Sequence, residues 1–134
     1  MAKCVAVMEL AIPVSAQDIW AQWIDPQKLS NWFWPIYPDT VYEINAQAGG
    51  SFRFSSNKTG VGAYGEVLEF IPYQLMRLSW NWVDEFNNDL EEVTIHFSDG
   101  LIRLEHIAET FDSCTLYQAS WTDTLLRLKA VLTQ

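Results

Sequence analysis

Two titratable side chains could carry chemistry, because strand alternation sends both toward the apolar side of predicted strands. His106 shares its parity with Leu104, and Glu66 shares its parity with Phe70. A carboxylic acid and an imidazole that meet in an apolar cavity can act as a general acid and base, because burial and proximity shift the pKa values of both groups. The sequence therefore offers Glu66 and His106 as candidate catalytic residues of a hydrolytic or cyclase-like reaction.

Each of these two residues also has a plain structural interpretation. His106 could be a core histidine whose ring nitrogens are hydrogen-bonded. Glu66 could lie at the wet end of its strand, or a bulge near Gly65 could shift the register. His96 has the opposite parity to its inward neighbours and is predicted to face solvent, so the two histidines cannot share a metal. We predict no metal and no cofactor, and we consider an enzyme the less favoured interpretation.

Aromatic side chains are the most unusual feature of the sequence. The chain has seven Trp, and four of them fall within residues 20–35. Packing in an ordinary core is the default role for such residues, but flat side chains around an open sheet also make an apolar pocket. The predicted cavity wall consists of Trp23, Trp32, Trp34, Phe52, Phe54, Glu66, Leu68, Phe70, Leu78, Trp80, Ile95, Phe97, His106, Tyr117, Trp121 and Leu125.

The elements that position these residues can be read from periodicity and capping. Residues 3–12 alternate as a strand, although the start also resembles a signal peptide. Ser15 is a candidate N-cap for a first helix, and the pair Asp25-Pro26 is a start signal for a second, which we predict to end near Trp34. A period of two then predicts strands at 41–46, 51–56, 62–71, 75–83, 90–98 and 101–109, with a turn at Asn87-Asn88.

A period of 3.6 returns after Ser113 and predicts a long final helix that carries Tyr117, Trp121 and Leu125 on one face. Strands joined by short turns make an antiparallel sheet, and only this helix is long enough to cover it. We therefore predict one α+β domain over residues 1–134, with a curved sheet wrapped around the final helix and an internal cavity between them.

Charge and cysteine content limit the choice of partners. The formal net charge is −9 with only eight Lys and Arg, which disfavours nucleic acid and anionic membranes as partners. Cys4 and Cys114 are far apart in sequence and form no metal motif, so we predict two reduced thiols in a cytoplasmic protein. Exposure of Trp32, Phe33 or Trp34 would favour self-association, and we expect a monomer or weak homodimer.

Several segments resemble the SRPBCC superfamily, and more narrowly the family of activators of the ATPase of heat shock protein 90. The similar segments are the Asp-Pro and Trp cluster of residues 25–35, the Gly49-Gly50 pair with its aromatic strand, GEVLEF from Gly65, VTIHF from Val93 and SWTDTLLRL from Ser120. The resemblance implies the helix-grip fold of START domains and polyketide cyclases.

On function, the predicted cavity favours non-enzymatic binding of a small apolar or aromatic molecule, such as a lipid or a polyketide-like compound, because a large apolar pocket is the default binding site. The alternative, which the resemblance implies, is a co-chaperone that stimulates a chaperone ATPase. The scaffold itself cannot decide between these functions, because one fold hosts many activities.

Overall fold

The computed structural model describes residues 3–83 and 91–134, so the predicted turn at Asn87-Asn88 and the first residue of the predicted strand 90–98 lie outside it. Eight strands and three helices follow one another in the described residues. They are β1 (Cys4–Ala11), α1 (Ala16–Ile24), α2 (Pro26–Leu29), β2 (Val41–Ile44), β3 (Ser51–Ser55), β4 (Gly62–Ile71), β5 (Leu75–Ser79), β6 (Asn81–Trp82), β7 (Glu92–Ser98), β8 (Leu101–Ala108) and α3 (Phe111–Leu132).

The strands form one curved, antiparallel, eight-stranded sheet. Its order is β1-β8-β7-β5-β4-β3-β2, and β6 pairs with β4 beside this path. The long helix α3 buries Trp121, Leu125 and Leu128 in the common core. The α+β fold class is therefore confirmed, with the sheet, the final helix and the two short helices after β1 in their predicted places.

The two short helices begin where the capping signals predict. The Ser15 hydroxyl accepts a hydrogen bond from the Asp18 backbone N–H at 3.1 Å, and the Asp25 carboxylate accepts one from Gln27 at 2.9 Å. The predicted end of the second helix near Trp34 is wrong, because α2 stops at Leu29. Beyond it the chain continues in turns whose carbonyl groups face α3 instead of closing further helical turns.

The register of β4 differs from the prediction. Ala63 pairs with Phe54 and Val67 pairs with Leu78, and all four side chains are buried. A bulge between Val67 and Glu69 then restores the inward position of Phe70. The inward placement of Glu66 is therefore wrong: counting back from Phe70 without the bulge assigns Glu66 to the wrong face, and its side chain is exposed.

The predicted strand 75–83 is interrupted at Trp80, which separates β5 from β6. The Trp80 backbone N–H donates to the carbonyl of Glu91 at 3.0 Å, and the Trp80 side chain is buried in the core. The chain thus turns at this residue and presents one large indole to the space between the sheet and α3.

The prediction of two reduced thiols is wrong, because Cys4 and Cys114 form a disulfide with a Cα–Cα distance of 6.3 Å. The bond joins the first residue of β1 to the first turn of α3, two places that are distant in sequence but adjacent in the fold. Cytoplasmic location stays a prediction and loses the support of free cysteines. In the part of the chain that the structure describes, no helix has the length and apolar character needed to cross a bilayer.

Candidate functional site

The Trp residues of α1 and of the segment after α2 are mainly core residues. Trp23 contacts Trp32 edge to face at 4.9 Å between ring centroids and lies 6.4 Å from Trp121 in a stacked arrangement. Trp32 and Phe33 are fully buried, so they do not provide the exposed surface that would favour self-association. Trp34 is half-buried and remains accessible at the edge of this cluster.

A small pocket lies where this cluster meets α3. Its enclosed volume is about 20 Å³, enough for one water molecule, and the space including its mouth to solvent is about 270 Å³. The half-buried side chains of Trp34, Trp82 and Tyr117 are the most accessible rings around it. The residues that line it are Phe33, Trp34, Trp80, Trp82, Tyr117, Ser120, Trp121 and Thr124.

A buried histidine forms one wall behind this pocket. His106 has no solvent exposure, and its ring stacks on the Tyr117 ring with centroids 4.1 Å apart and an interplanar angle of 13°. The Trp121 indole Nε1 lies 2.9 Å from His106 Nδ1, and His106 Nε2 lies 2.8 Å from Glu91 Oε1. Both ring nitrogens therefore have protein partners.

These partners define the tautomer of His106. An indole N–H can only donate, so Nδ1 must be the acceptor. The ring proton then resides on Nε2 and is donated to the Glu91 carboxylate. His106 is thus a neutral imidazole that links α3 to the start of β7, and neither nitrogen is free to take a proton from a substrate.

The same carboxylate organises the accessible side of the pocket. The Tyr117 hydroxyl donates to Glu91 Oε2 at 3.2 Å and accepts a hydrogen bond from Trp82 Nε1 at 2.9 Å. Tyr117 and Trp121 are four residues apart on α3, so they lie on one face of the helix. A connected set of hydrogen bonds therefore runs from Trp82 through Tyr117, Glu91 and His106 to Trp121.

The turn that carries Phe33 and Trp34 is fixed by two polar side chains. Arg127 on α3 donates to the carbonyl oxygens of Trp32 at 2.9 Å and Phe33 at 2.8 Å. The Tyr42 hydroxyl accepts the Trp34 backbone N–H at 3.0 Å, and burial raises the pKa of Tyr42. The first contact holds this turn against α3, and the second holds it against β2.

Only part of the predicted wall lines this pocket. Trp34, Trp80, Tyr117 and Trp121 do, and His106 lies directly behind them. Leu125 instead borders a separate groove of about 250 Å³ between β1 and α3. Leu68 is half-buried and lies outside the core cluster. The remaining residues of the predicted wall belong to the core or pack against it and do not line the pocket: Trp23, Trp32, Phe52, Phe54, Phe70, Leu78, Ile95 and Phe97.

The predicted acid and base pair is not present. Glu66 lies on the outer face of β4, whereas His106 faces inward from β8. The partner of His106 is Glu91, which sequence reasoning missed. Strand alternation already indicated that Glu91 faces inward, because it has the same parity as the inward residues Val93 and Ile95. Phe33, Trp82, Ser120 and Thr124 were also missed as lining residues.

Three buried indole N–H groups have no hydrogen-bond partner among the residues described, namely those of Trp23, Trp32 and Trp80. An unmade bond from a buried donor costs about 1–3 kcal/mol. Of the three, only Trp80 borders the pocket.

Within residues 3–83 and 91–134, no three His, Cys, Asp or Glu side chains gather in a group that could hold a metal ion.

A sheet that encloses one long helix, with an aromatic pocket between them, defines a helix-grip protein. The family model described as Activator of Hsp90 ATPase homolog 1-like protein matches residues 13–133. The chain belongs to this family. No curated protein matches it.

Several solved structures share the fold. A protein from Mesorhizobium loti is 19% identical, with a TM-score of 0.80 and coverage of 96% of each chain. CalU16 from Micromonospora echinospora is 18% identical, with a TM-score of 0.77 over 98% of this chain and 83% of that chain. An AHSA1-like protein from Aeromonas hydrophila is 19% identical, with a TM-score of 0.74 over 95% and 90%. At such identities the likeness establishes the fold alone.

Proposed function

We propose that this protein binds a small, mainly aromatic molecule in the pocket between α3 and the turn at Trp34, without transforming it. The supporting observation is the lining: six of its eight residues are Phe, Trp or Tyr around one opening. Flat rings that surround a concave space provide stacking and edge contacts to an aromatic ligand.

The size of the pocket limits the ligand to about one ring. The enclosed space holds only a water molecule, so an aromatic ring must enter at the mouth and displace the accessible side chains of Trp34 or Trp82. A non-catalytic role agrees with the state of His106, whose two nitrogens are both engaged by Trp121 and Glu91. We retain the single domain and the cytoplasmic location as parts of this proposal.

Tryptophan fluorescence and native mass spectrometry test the proposal with a panel of single-ring aromatic compounds. Ser120→Phe places a ring in the pocket and should abolish the ligand-dependent fluorescence change. Ala119→Phe adds the same bulk to an exposed neighbouring position of α3 and should leave the change intact. A panel that leaves the emission of the unaltered protein unchanged, with no co-purified ligand, would refute the proposal.

Membership of the family favours a second candidate, contact with a chaperone. The description of the family refers to activators of the Hsp90 ATPase. Stoichiometric capture of purified Hsp90 together with stimulation of its ATPase would support this role and displace ligand binding as the main function. Absence of both effects would remove it.

A further inference from the structure

The indole of Trp80 differs from those of Trp121 and Trp82, which also line the pocket. Trp121 donates its N–H to His106, and Trp82 donates its N–H to Tyr117. The N–H of Trp80 has no partner in the described part of the chain, although the side chain is 2% exposed. A donor that is closed off from bulk water and left without an acceptor is rare in a folded protein.

Two hydroxyl groups that line the pocket, those of Tyr117 and Thr124, already have partners. The Tyr117 hydroxyl donates to Glu91 and accepts from Trp82. The Thr124 hydroxyl donates to the carbonyl of Ser120 at 2.9 Å and accepts from Arg127 at 3.2 Å. Trp80 is therefore the buried donor at this pocket whose hydrogen bond remains to be made.

We propose that the ligand is an uncharged single-ring aromatic compound with a hydrogen-bond acceptor, such as an aryl ketone or aldehyde, and that Trp80 Nε1 donates to this acceptor. This inference rests on the proposed function and adds the chemical class of the ligand. A carboxylate ligand is disfavoured because it would approach the carboxyl group of Glu91 behind Tyr117. An aromatic hydrocarbon would leave the Trp80 N–H unpaired.

Acetophenone and 2-phenylpropene form a matched pair of probes, because they differ mainly in a carbonyl group against a methylene group. We expect acetophenone to bind about 3- to 10-fold more tightly, the range for one neutral hydrogen bond. In a ¹⁵N-labelled protein, the Trp80 indole N–H signal should move downfield with acetophenone and not with 2-phenylpropene.

Trp80→Phe removes the donor and should make the two affinities equal. Trp32→Phe is the matched control, because Trp32 also carries an unpartnered buried indole but does not line the pocket, so the preference should persist. If Trp80→Phe does not fold, the indole signal of the unaltered protein decides the question.

The outcomes separate the two proposals. Equal affinity of the unaltered protein for both probes, with no distinct shift of the Trp80 signal, would refute the proposal that the ligand carries an acceptor for Trp80. The proposal that the pocket binds an aromatic ligand would remain. Binding of neither probe, and of no other single-ring compound, would overturn both.

Discussion

At the scale of single residues, the polar set around His106 is the most consequential feature of the core. A neutral imidazole accepts from one indole and donates to one carboxylate, and it is sealed from solvent. Such a buried network is stabilising only while each member keeps its partner. Loss of one donor should therefore cost more than the loss of apolar surface alone.

Comparison of Trp121→Phe with Trp32→Phe measures this cost. Both substitutions remove the same part of a buried indole, but only Trp121 donates a hydrogen bond. We expect Trp121→Phe to lower the free energy of unfolding by about 1–3 kcal/mol more than Trp32→Phe, because His106 Nδ1 is left as an unpaired buried acceptor. Urea unfolding measures both values. Equal losses would show that this hydrogen bond contributes nothing.

Residue-level reasoning from sequence succeeded for His106 and failed for its partner. Alternation along β8 placed the histidine inward, and the structure agrees. On β4 the same rule selected Glu66, because a bulge leaves no clear mark in the sequence VLEF. Glu91 had the inward parity, but it precedes β7 and is positioned by a hydrogen bond from the Trp80 backbone, which is a tertiary contact.

At the scale of elements, the chain between α2 and β2 is held by side chains and not by regular structure. Arg127 donates hydrogen bonds to two carbonyl groups of this segment. The Asp39 carboxylate accepts hydrogen bonds from Ser56 and Lys58 in the turn after β3. Capping predicted where α1 and α2 begin because the signals are local. The segment after α2 is held by Arg127, which is nearly a hundred residues away in sequence, so local signals could not predict its conformation.

Arg127→Lys tests the link between α3 and this segment. A lysine keeps the charge but cannot donate in a fork to the carbonyls of Trp32 and Phe33. We expect a loss of about 1–2 kcal/mol in the free energy of unfolding. This is less than the cost of losing a hydrogen bond at a fully buried site, because the site is partly open to water. Arg103→Lys, in an exposed ion pair with Glu9, is the control and should change stability by well under 1 kcal/mol. Equal effects in a chemical denaturation series would contradict this view.

Asp39 gives the segment a dependence on pH. The Lys58 backbone N–H at 3.0 Å and the Ser56 hydroxyl at 2.8 Å stabilise the carboxylate and hold the pKa of Asp39 below its ordinary value of 3.8. The native state thus favours the ionised form. Its contribution to stability is complete above pH 3.8 and is lost as the pH falls through the lower value of the folded state.

Asp39→Asn should therefore be less stable than the unaltered protein at pH 7, and the difference should shrink as the pH falls below about 4. Urea titrations at a series of pH values give this difference directly, since other carboxylates contribute equally to both proteins. A difference that stays constant down to pH 2, or that grows, would exclude the assigned role of Asp39.

At the scale of the whole molecule, the order of strands and helices was predictable because turn and period signals recur along the entire chain. The disulfide was not, because the pairing of Cys4 with Cys114 follows from the way α3 crosses β1. The small volume of the pocket could not be predicted from the sequence either, because it depends on how closely neighbouring indoles pack together.

Reduction of the disulfide should lower the free energy of unfolding by about 2–5 kcal/mol, because the bond closes a loop with a sequence separation of 110 residues and restricts the unfolded chain. Thermal unfolding with and without a reductant measures the effect. The double variant Cys4→Ser with Cys114→Ser should unfold as the reduced protein does and should not respond to reductant. Identical unfolding of the oxidised and reduced protein would contradict the expectation.

The same bond makes residues 4–114 a covalent ring. One break in the backbone anywhere inside this ring opens it without releasing a fragment, since the two pieces remain tethered through sulfur. Their reassociation is then intramolecular and independent of dilution. A nicked molecule can thus keep its sheet and its pocket together, and only a second cut or a reductant would let the pieces diffuse apart.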